Sequence, residues 1–363
     1  MDFEQFKFPR TSQLPQKIAF QSTSPSNIAL VKYWGKADIQ IPKNTSISFT
    51  LSNCYTSTLL KLEAKTKTEE KTTIEVELDG VSTPSFHPKI EKFLKLIETY
   101  CPYVKHYHFA IQTKNTFPHS SGIASSASGM SALAMCIMQL EKKIDPAISD
   151  EFMLKKASFL ARLGSGSASR SIEGKLMLWG KHEQLNQSSD LYAVALNKDI
   201  HPIFQDYQDS ILLVDKGQKK VSSSLGHSLM NGHPFAEKRF EQAQENCSEL
   251  LEILKSGNIE AFMTLVESEA LTLHAMMMSS LPYFMLMTPN TLAVLNAIWE
   301  FRKTTKIPVC FTLDAGANVH LLYPKKHQQD VHNLIDESLK MYCENQQVIH
   351  DEVGNGAEII QIK

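Results

Sequence analysis

The stretch "NTFPHSSGIASSASGMSALAMCIMQLEKK", residues 115–143, limits the possible folds more than any other part of the chain. A predicted strand, "HYHFAIQTK", runs into a loop of serine, glycine and alanine, and the loop opens a predicted helix through about residue 142. Small residues fill a core poorly but let a ligand reach the main chain. The N–H groups of a helix's first turn lack intrahelical partners and carry partial positive charge. Gly122, Ala124, Ser125, Ser126 and Ala127 would then form a cradle for phosphate. The same residues suit a serine-capped helix packed closely on a sheet equally well. Neither GxxxxGK[ST] nor GxGxxG occurs in the chain, so two commoner nucleotide-binding folds lose support.

Around this stretch, "KIAFQST", "NIALVKYWG", "SISFTLS", "TSTLLKLEA" and "TTIEVELDG" read as short strands, the last closing on an Asp-Gly turn. "HPKIEKFLKLIETYC" has helical spacing, and "DEFMLKKASFLARLG" is a helix with Asp at its start and Gly at its end. "GKLMLWG" is a strand. Residues 181–208 are polar without strong periodicity, so the domain boundary is placed there, dividing 1–195 from 196–363. Beyond it come a strand "SILLVD", helices near 234–256, 258–278 and 289–304, strands "VCFTLD" and "VHLLY", a helix near 326–343, and a closing "EIIQI". Mixed runs of strands and helices predict an α+β fold rather than a doubly wound parallel sheet.

Net charge is −2, so there is no global basic field to attract nucleic acid or an anionic membrane, and any anionic ligand needs a local cluster of donors. The six cysteines show no CxxC spacing and are expected as buried free thiols in a reducing compartment. The first residues lack the apolar segment of a signal peptide, and no run of 18 apolar residues exists, which together suggest a cytoplasmic protein.

Four more stretches could carry chemistry. "LGSGSASRSIEG", 163–174, sets Arg170 among small residues, where a guanidinium could grip a carboxylate or phosphate; the plain alternative is a flexible loop. "SPSNIALVKYWGK", 24–36, puts Lys32 within an apolar strand, which is costly unless the lysine is paired, used, or laid along an edge. "FTLDAGAN", 311–318, ends a strand on Asp314, a candidate base or simply an Asx-turn. "KKVSSSLG", 219–226, offers serines beside two lysines, as an anion site or a polar loop. The Met-rich run 274–287 reads as core.

Taken together and in this order, these stretches resemble the mevalonate diphosphate decarboxylases, a family of the GHMP small-molecule kinase superfamily. "SPSNIALVKYWGKAD" looks like the family's A-P-x-N-I-A-x-x-K-Y-W-G-K-R-D segment, and "IPKNTSISFTL" like L-P-x-N-S-S-x-S-x-T-L. "NTFPHSSGIASSASG", "RLGSGSASRSIEG" and "FTLDAGAN" are similar to N-x-F-P-T-A-A-G-L-A-S-S-A-x-G, R-x-G-S-G-S-A-C-R-S-x-x-G and Y-T-F-D-A-G-P-N. Departures are Ala37, the run His119-Ser120-Ser121, Ser169, Ala317 and His320, the last expected as a core or edge histidine.

The resemblance implies two α+β lobes, the first like domain 2 of ribosomal protein S5 and the second ferredoxin-like. It implies ATP-dependent decarboxylation of mevalonate 5-diphosphate to isopentenyl diphosphate, with Mg2+, by a homodimer. On that basis Asp314, Lys32 and Arg170 are the catalytic trio. Tyr33, Lys36, Ser165, Ser167, Ser222 and Ser223 would hold the substrate. Ser121, Gly122, Ala124, Ser125, Ser126 and Asn44 would meet the nucleotide, with Ser126 also on the metal. Alternatives are a mevalonate 5-phosphate decarboxylase, a GHMP kinase that only phosphorylates, and a non-enzymatic RNA-binding module. Joint presence of Arg170 and Lys32 argues against the kinase, and the near-neutral charge against the RNA binder.

Overall fold

Two long antiparallel strands organise the molecule, a computed structural model that describes residues 2–9, 14–67, 71–118, 123–196, 199–215 and 223–362. Strand β1 (Lys17–Val31) leads through the small hairpin of β2 (Lys36–Ala37) and β3 (Ile41–Pro42) into β4 (Ser46–Ala64), which pairs back along β1. The sequence predicts four short strands here. Irregularities keep each pair continuous instead: β4 loops outward between the pairs Pro25–Tyr55 and Asn27–Thr50, and β1 slips once more between Ala29 and Val31.

The rest of the first lobe comprises β5 (Ile74–Leu78), β6 (Val81–Ser82), α1 (His87–Ile97), β7 (Tyr107–Asn115), α2 (Ser125–Ile144), α3 (Asp150–Gly164), β8 (Leu176–Trp179) and β9 (Ala193–Ala195). The stretch read as lacking periodicity thus contains β9. Helix α1 buries Ile90, Phe93, Leu94 and Ile97, an i, i+3, i+4, i+7 stripe. Helix α3 starts where Ser149 Oγ accepts the Phe152 N–H at 3.1 Å. Their apolar faces close on α2 and the lower sheet, around Phe6, Phe93, Phe109 and Phe159.

The second lobe holds β10 (Gln208–Leu212), α4 (Ser223–Ser228), α5 (Ala236–Ser256), α6 (Ile259–Met278), α7 (Pro289–Thr305), β11 (Cys310–Thr312), β12 (Val319–Tyr323), α8 (Gln328–Leu334) and β13 (Val348–Glu352). Its antiparallel sheet has the order β11-β12-β10-β13. Successive side chains point to opposite faces. Ile211, Cys310 and Leu322 therefore pack towards α5, α6 and the upper halves of β1 and β4, while Leu212, Phe311 and Leu321 meet α7 and α8. The first of these cores is shared between the lobes.

Two further findings differ from expectation. The helix predicted near 326–343 is broken into 3-10, α and π turns. The Met-rich run is only half core: Met276 and Met277 are buried, but Leu281, Tyr283 and Met285 are exposed. All six cysteines are buried and free.

The last strand, β14 (Glu358–Ile360), leaves the second lobe and pairs with β1, so the first sheet has the order β14-β1-β4-β7-β5-β6, with β8 and β9 attached beside β4. A carboxylate secures this crossing. Asp351 on β13 accepts the N–H groups of Ser52, Asn53 and Cys54, which the outward loop of β4 leaves without ladder partners.

Candidate functional site

Strands β1 and β11 end side by side. Thr312 on β11 donates its hydroxyl to the Ala29 carbonyl on β1, which brings Lys32 and Asp314 together just past the two ends. Lys32 is 1% exposed, yet its ammonium is satisfied by the Ala29 carbonyl at 2.6 Å and Asp314 Oδ1 at 3.0 Å. Burial pulls its pKa down, and the carboxylates of Asp314 and Glu269 partly oppose this. The side chain of Asp314 is 31% exposed, so the pair faces open space on the carboxylate side.

The Lys32 main chain is fixed as firmly. Glu269 Oε2 on α6 accepts its N–H at 2.8 Å, and Glu269 is itself gripped by Arg239 of α5 at 2.5 and 3.0 Å and by Asn246. Asn44 donates to the Lys32 and Thr45 carbonyls. Asn44 was expected at the nucleotide; both amide protons go to the backbone beneath the lysine, and its Oδ1 is buried with no partner among the described residues. His274, read only as part of a Met-rich core, donates from Nε2 towards the Asp314 carbonyl at 3.1 Å, and burial lowers its pKa to about 4.

Arg170 projects from the 3-10 turn 166–171 that follows α3 and is 3% exposed. Its Nε donates to Asn27 Oδ1 at 3.3 Å and Nη1 to the Ser46 hydroxyl. Among the described residues no carboxylate forms an ion pair with it. Burial lowers its pKa to about 10, while the field of Asp314 works the other way. Burial without a carboxylate does not by itself mark a site, since Arg162 is equally buried. Arg162, however, spends its donors on the carbonyls of Leu191, Ile39 and Gln40, whereas Arg170 touches only neutral side-chain oxygens.

Tyr33 lies beside this guanidinium. Its ring contacts Trp179 and His227, and its hydroxyl is buried with no partner among the described residues. Burial raises its pKa strongly, so it remains a neutral donor. Lys36 is half-buried and reaches Gln40 at 3.3 Å; burial and then the nearby Lys92 lower its pKa. Ser165 ends α3 and Ser167 sits in the next turn, both half-buried, and no described residue bonds to either hydroxyl. The structure thus gathers Lys32, Asp314, Arg170 and Tyr33, with Lys36 and the two serines around them. Ser222 lies outside the described residues, and only the main-chain position of Ser223, at the start of α4, is described.

Helix α2 begins differently from the serine-cap alternative. Ala124 occupies the capping position in the left-handed region (φ 44°), and among the described residues no side chain caps the first turn. Ser26 anchors the approach by donating to the Ile123 carbonyl at 2.6 Å. Ser125 starts the helix, and the hydroxyl of exposed Ser126 accepts from Lys89 Nζ at 2.9 Å. Ser121 and Gly122 lie outside the described residues. No group of three His, Cys, Asp or Glu side chains among the described residues could hold a metal.

Residues 24–193 match the diphosphomevalonate decarboxylase-like N-terminal domain, and residues 210–361 match the mevalonate 5-diphosphate decarboxylase C-terminal domain. The diphosphomevalonate decarboxylase of Ganoderma lucidum is 28% identical over 332 residues, 86% of this chain and 80% of that protein. The crystal structure of mevalonate diphosphate decarboxylase from Staphylococcus aureus is 30% identical with a TM-score of 0.81, covering 95% of this chain and 98% of that one. A structure described as MDDEF in complex with MVAPP, AMPPCP and magnesium is 27% identical, also at a TM-score of 0.81, covering 95% and 100%.

Proposed function

The chain belongs to the diphosphomevalonate decarboxylase family, and on that premise we propose how its cleft carries out the family's reaction. The protein is an enzyme of the two-lobed GHMP fold. It decarboxylates mevalonate 5-diphosphate to isopentenyl diphosphate, consuming ATP with Mg2+ and releasing ADP, phosphate and CO2. We take 1–195 and 196–363 as the two lobes that enclose the substrate.

A tertiary 3-hydroxyl is both a poor nucleophile and a poor leaving group. ATP supplies the phosphoryl group that makes it leave, and Mg2+ offsets charge on the phosphates. Asp314 accepts the hydroxyl proton or orients the hydroxyl for transfer; proton loss late in a loose transition state does not demand a strongly basic carboxylate. Lys32, held by Asp314 and the Ala29 carbonyl, stabilises the charge that develops on the reacting oxygen. Arg170 grips the substrate carboxylate in its fork, and the orphaned Tyr33 hydroxyl donates beside it. The carboxylate is then aligned with the C3–O bond whose departure draws out CO2. Lys36, Ser165, Ser167, Ser222 and Ser223 are assigned to the diphosphate.

The nucleotide's phosphates meet the first turn of α2, where the capping residue Ala124 supplies no side-chain acceptor, and Ser121, Gly122 and Ser125 are assigned to the same phosphates. Ser126 would take up Mg2+ by exchanging its contact with Lys89. We further place the enzyme in the cytoplasm as a homodimer. Among the described residues no helix is long and apolar enough to cross a membrane.

The observation that carries these roles is the contact at 3.0 Å between buried Lys32 and half-buried Asp314, beside a buried guanidinium with no carboxylate of its own among the described residues. The test uses purified protein with ATP and Mg2+, given mevalonate 5-diphosphate or mevalonate 5-phosphate, following ADP and CO2 together. Equal ADP and CO2 with the diphosphate is expected. Equal products with the monophosphate alone would move the substrate assignment, and ADP without CO2 would leave Arg170 without its role.

A further inference from the structure

One side chain in the cleft has no part in the reading above. His227 lies on α4, 8% exposed, with its ring between Tyr33 (centroids 4.2 Å apart) and Trp34 (4.8 Å). Its Nδ1 accepts the main-chain N–H of Gly35 at 3.0 Å. An N–H donor demands a lone pair, so Nδ1 carries no proton and the neutral ring carries its hydrogen on Nε2. No described residue accepts from Nε2. Burial, and then the nearby positive charges of Lys36 and Arg170, push the imidazole pKa down to about 3.

The packing leaves little freedom to this ring. Gly226 has no room for a Cβ, which would sit 2.4 Å from the Trp34 ring, so α4 lies directly against the indole. Gly35 adopts φ +98°, a conformation open to glycine, and this turns its N–H towards His227. The ring is thus fixed by two aromatic contacts and by one hydrogen bond, which engages Nδ1 and leaves Nε2 free of it.

We propose that His227 is a substrate-binding residue, donating from Nε2 to a phosphoryl oxygen of the substrate's diphosphate. The inference rests on the substrate assigned above. An uncharged donor suits this position: beside Lys36 and Arg170 a third cation would be repelled, whereas an N–H adds direction without adding charge. A histidine kept only for packing would hold this N–H without an acceptor, at a cost.

The test starts from wild-type turnover, so that the substrate assignment is checked first. Protein labelled with 15N-histidine is then titrated with mevalonate 5-diphosphate and, separately, with mevalonate. The expected result is an Nε2–H tautomer whose Nε2 signal moves with the diphosphate and not with mevalonate. His227→Phe keeps a stacking ring and removes the donor; it should raise KM for mevalonate 5-diphosphate roughly ten- to a hundredfold. Its kcat and its KM for ATP should stay within about twofold of wild type. His227→Gln, which restores an N–H, should recover part of the loss. CO2 release by wild type with an Nε2 signal unmoved by the diphosphate would overturn the inference alone. A folded His227→Phe with unchanged KM would do the same. Should His227→Phe fail to fold, the titration of wild type decides. No CO2 from wild type would instead overturn the substrate assignment.

Discussion

The carboxylate of Glu269 accepts the main-chain N–H of Lys32 at 2.8 Å, across 237 positions of sequence. That contact ties the middle of α6 to the point where β1 ends. Because Arg239 and Asn246 also donate to the Glu269 carboxylate, the lysine backbone is positioned by a buried, multiply bonded cluster.

Glu269→Gln removes the charge that balances Arg239 while keeping the shape. Breaking one side of a buried pair costs about 3–5 kcal/mol, so denaturant unfolding should shift to lower concentration by that amount. Turnover at a temperature where the variant is folded should also fall, because Lys32 loses its anchor.

Asp314→Asn should leave the fold and ATP binding intact and lose turnover. The amide oxygen can still accept from Lys32 but cannot take a proton. A fall in kcat of about 10³ or more is expected, read as ADP and CO2 release. Near-normal turnover would sink the role given to Asp314.

Arg170→Gln separates stability from binding. In the ligand-free protein Arg170 is a buried cation without a carboxylate, so losing its charge should change the unfolding midpoint little. Affinity for the substrate should drop by about 2–5 kcal/mol, seen as lost thermal protection by mevalonate 5-diphosphate. Undiminished protection would show that another group holds the carboxylate.

The pH profile should carry the mark of Lys32. Burial lowers its pKa from 10.5, so the charged form is lost below the ordinary lysine range. The alkaline limb of kcat/KM, which reports the free enzyme, should therefore lie below 10.5 and disappear in Lys32→Arg. The unfolded chain keeps this proton to higher pH, so stability due to this group rises with pH between its folded and unfolded pKa values.

Asp351→Ala should orphan the N–H groups of Ser52, Asn53 and Cys54 and cost about 2–4 kcal/mol in chemical unfolding. Asp351→Asn should cost less. Its amide oxygen still accepts, and it avoids the buried charge that raises the pKa of the native carboxyl.

Local signals were easy to read in the sequence, and long-range ones were not. Helix α3 begins and ends where its Asp150 and Gly164 say it should, and α1 follows its apolar stripe, because caps and periodicity act within a few residues. The joining of four predicted strands into β1 and β4 depends on bulges that only the paired strand reveals. Strand β13, "VIHDE", lacks clean alternation and was not anticipated; it is fixed by pairing with β10 and by the Asp351 contacts. In the cleft, Lys32, Arg170 and Asp314 stood out as charges in apolar or small-residue surroundings. His227 and His274 gave no such signal, since their roles come from partners 192 and 40 positions away.

The pairing of β14 with β1 also bears on how the chain is made. A ribosome delivers β1 early and the three residues of β14 only after the preceding 357. The first lobe's sheet therefore keeps an open edge along Gln21–Thr23 until residues 358–360 have been made, and this ladder cannot close before then. Until then this stretch is exposed to any extended segment nearby, so the nascent chain is most open to mispairing at the strand that later leads to Lys32.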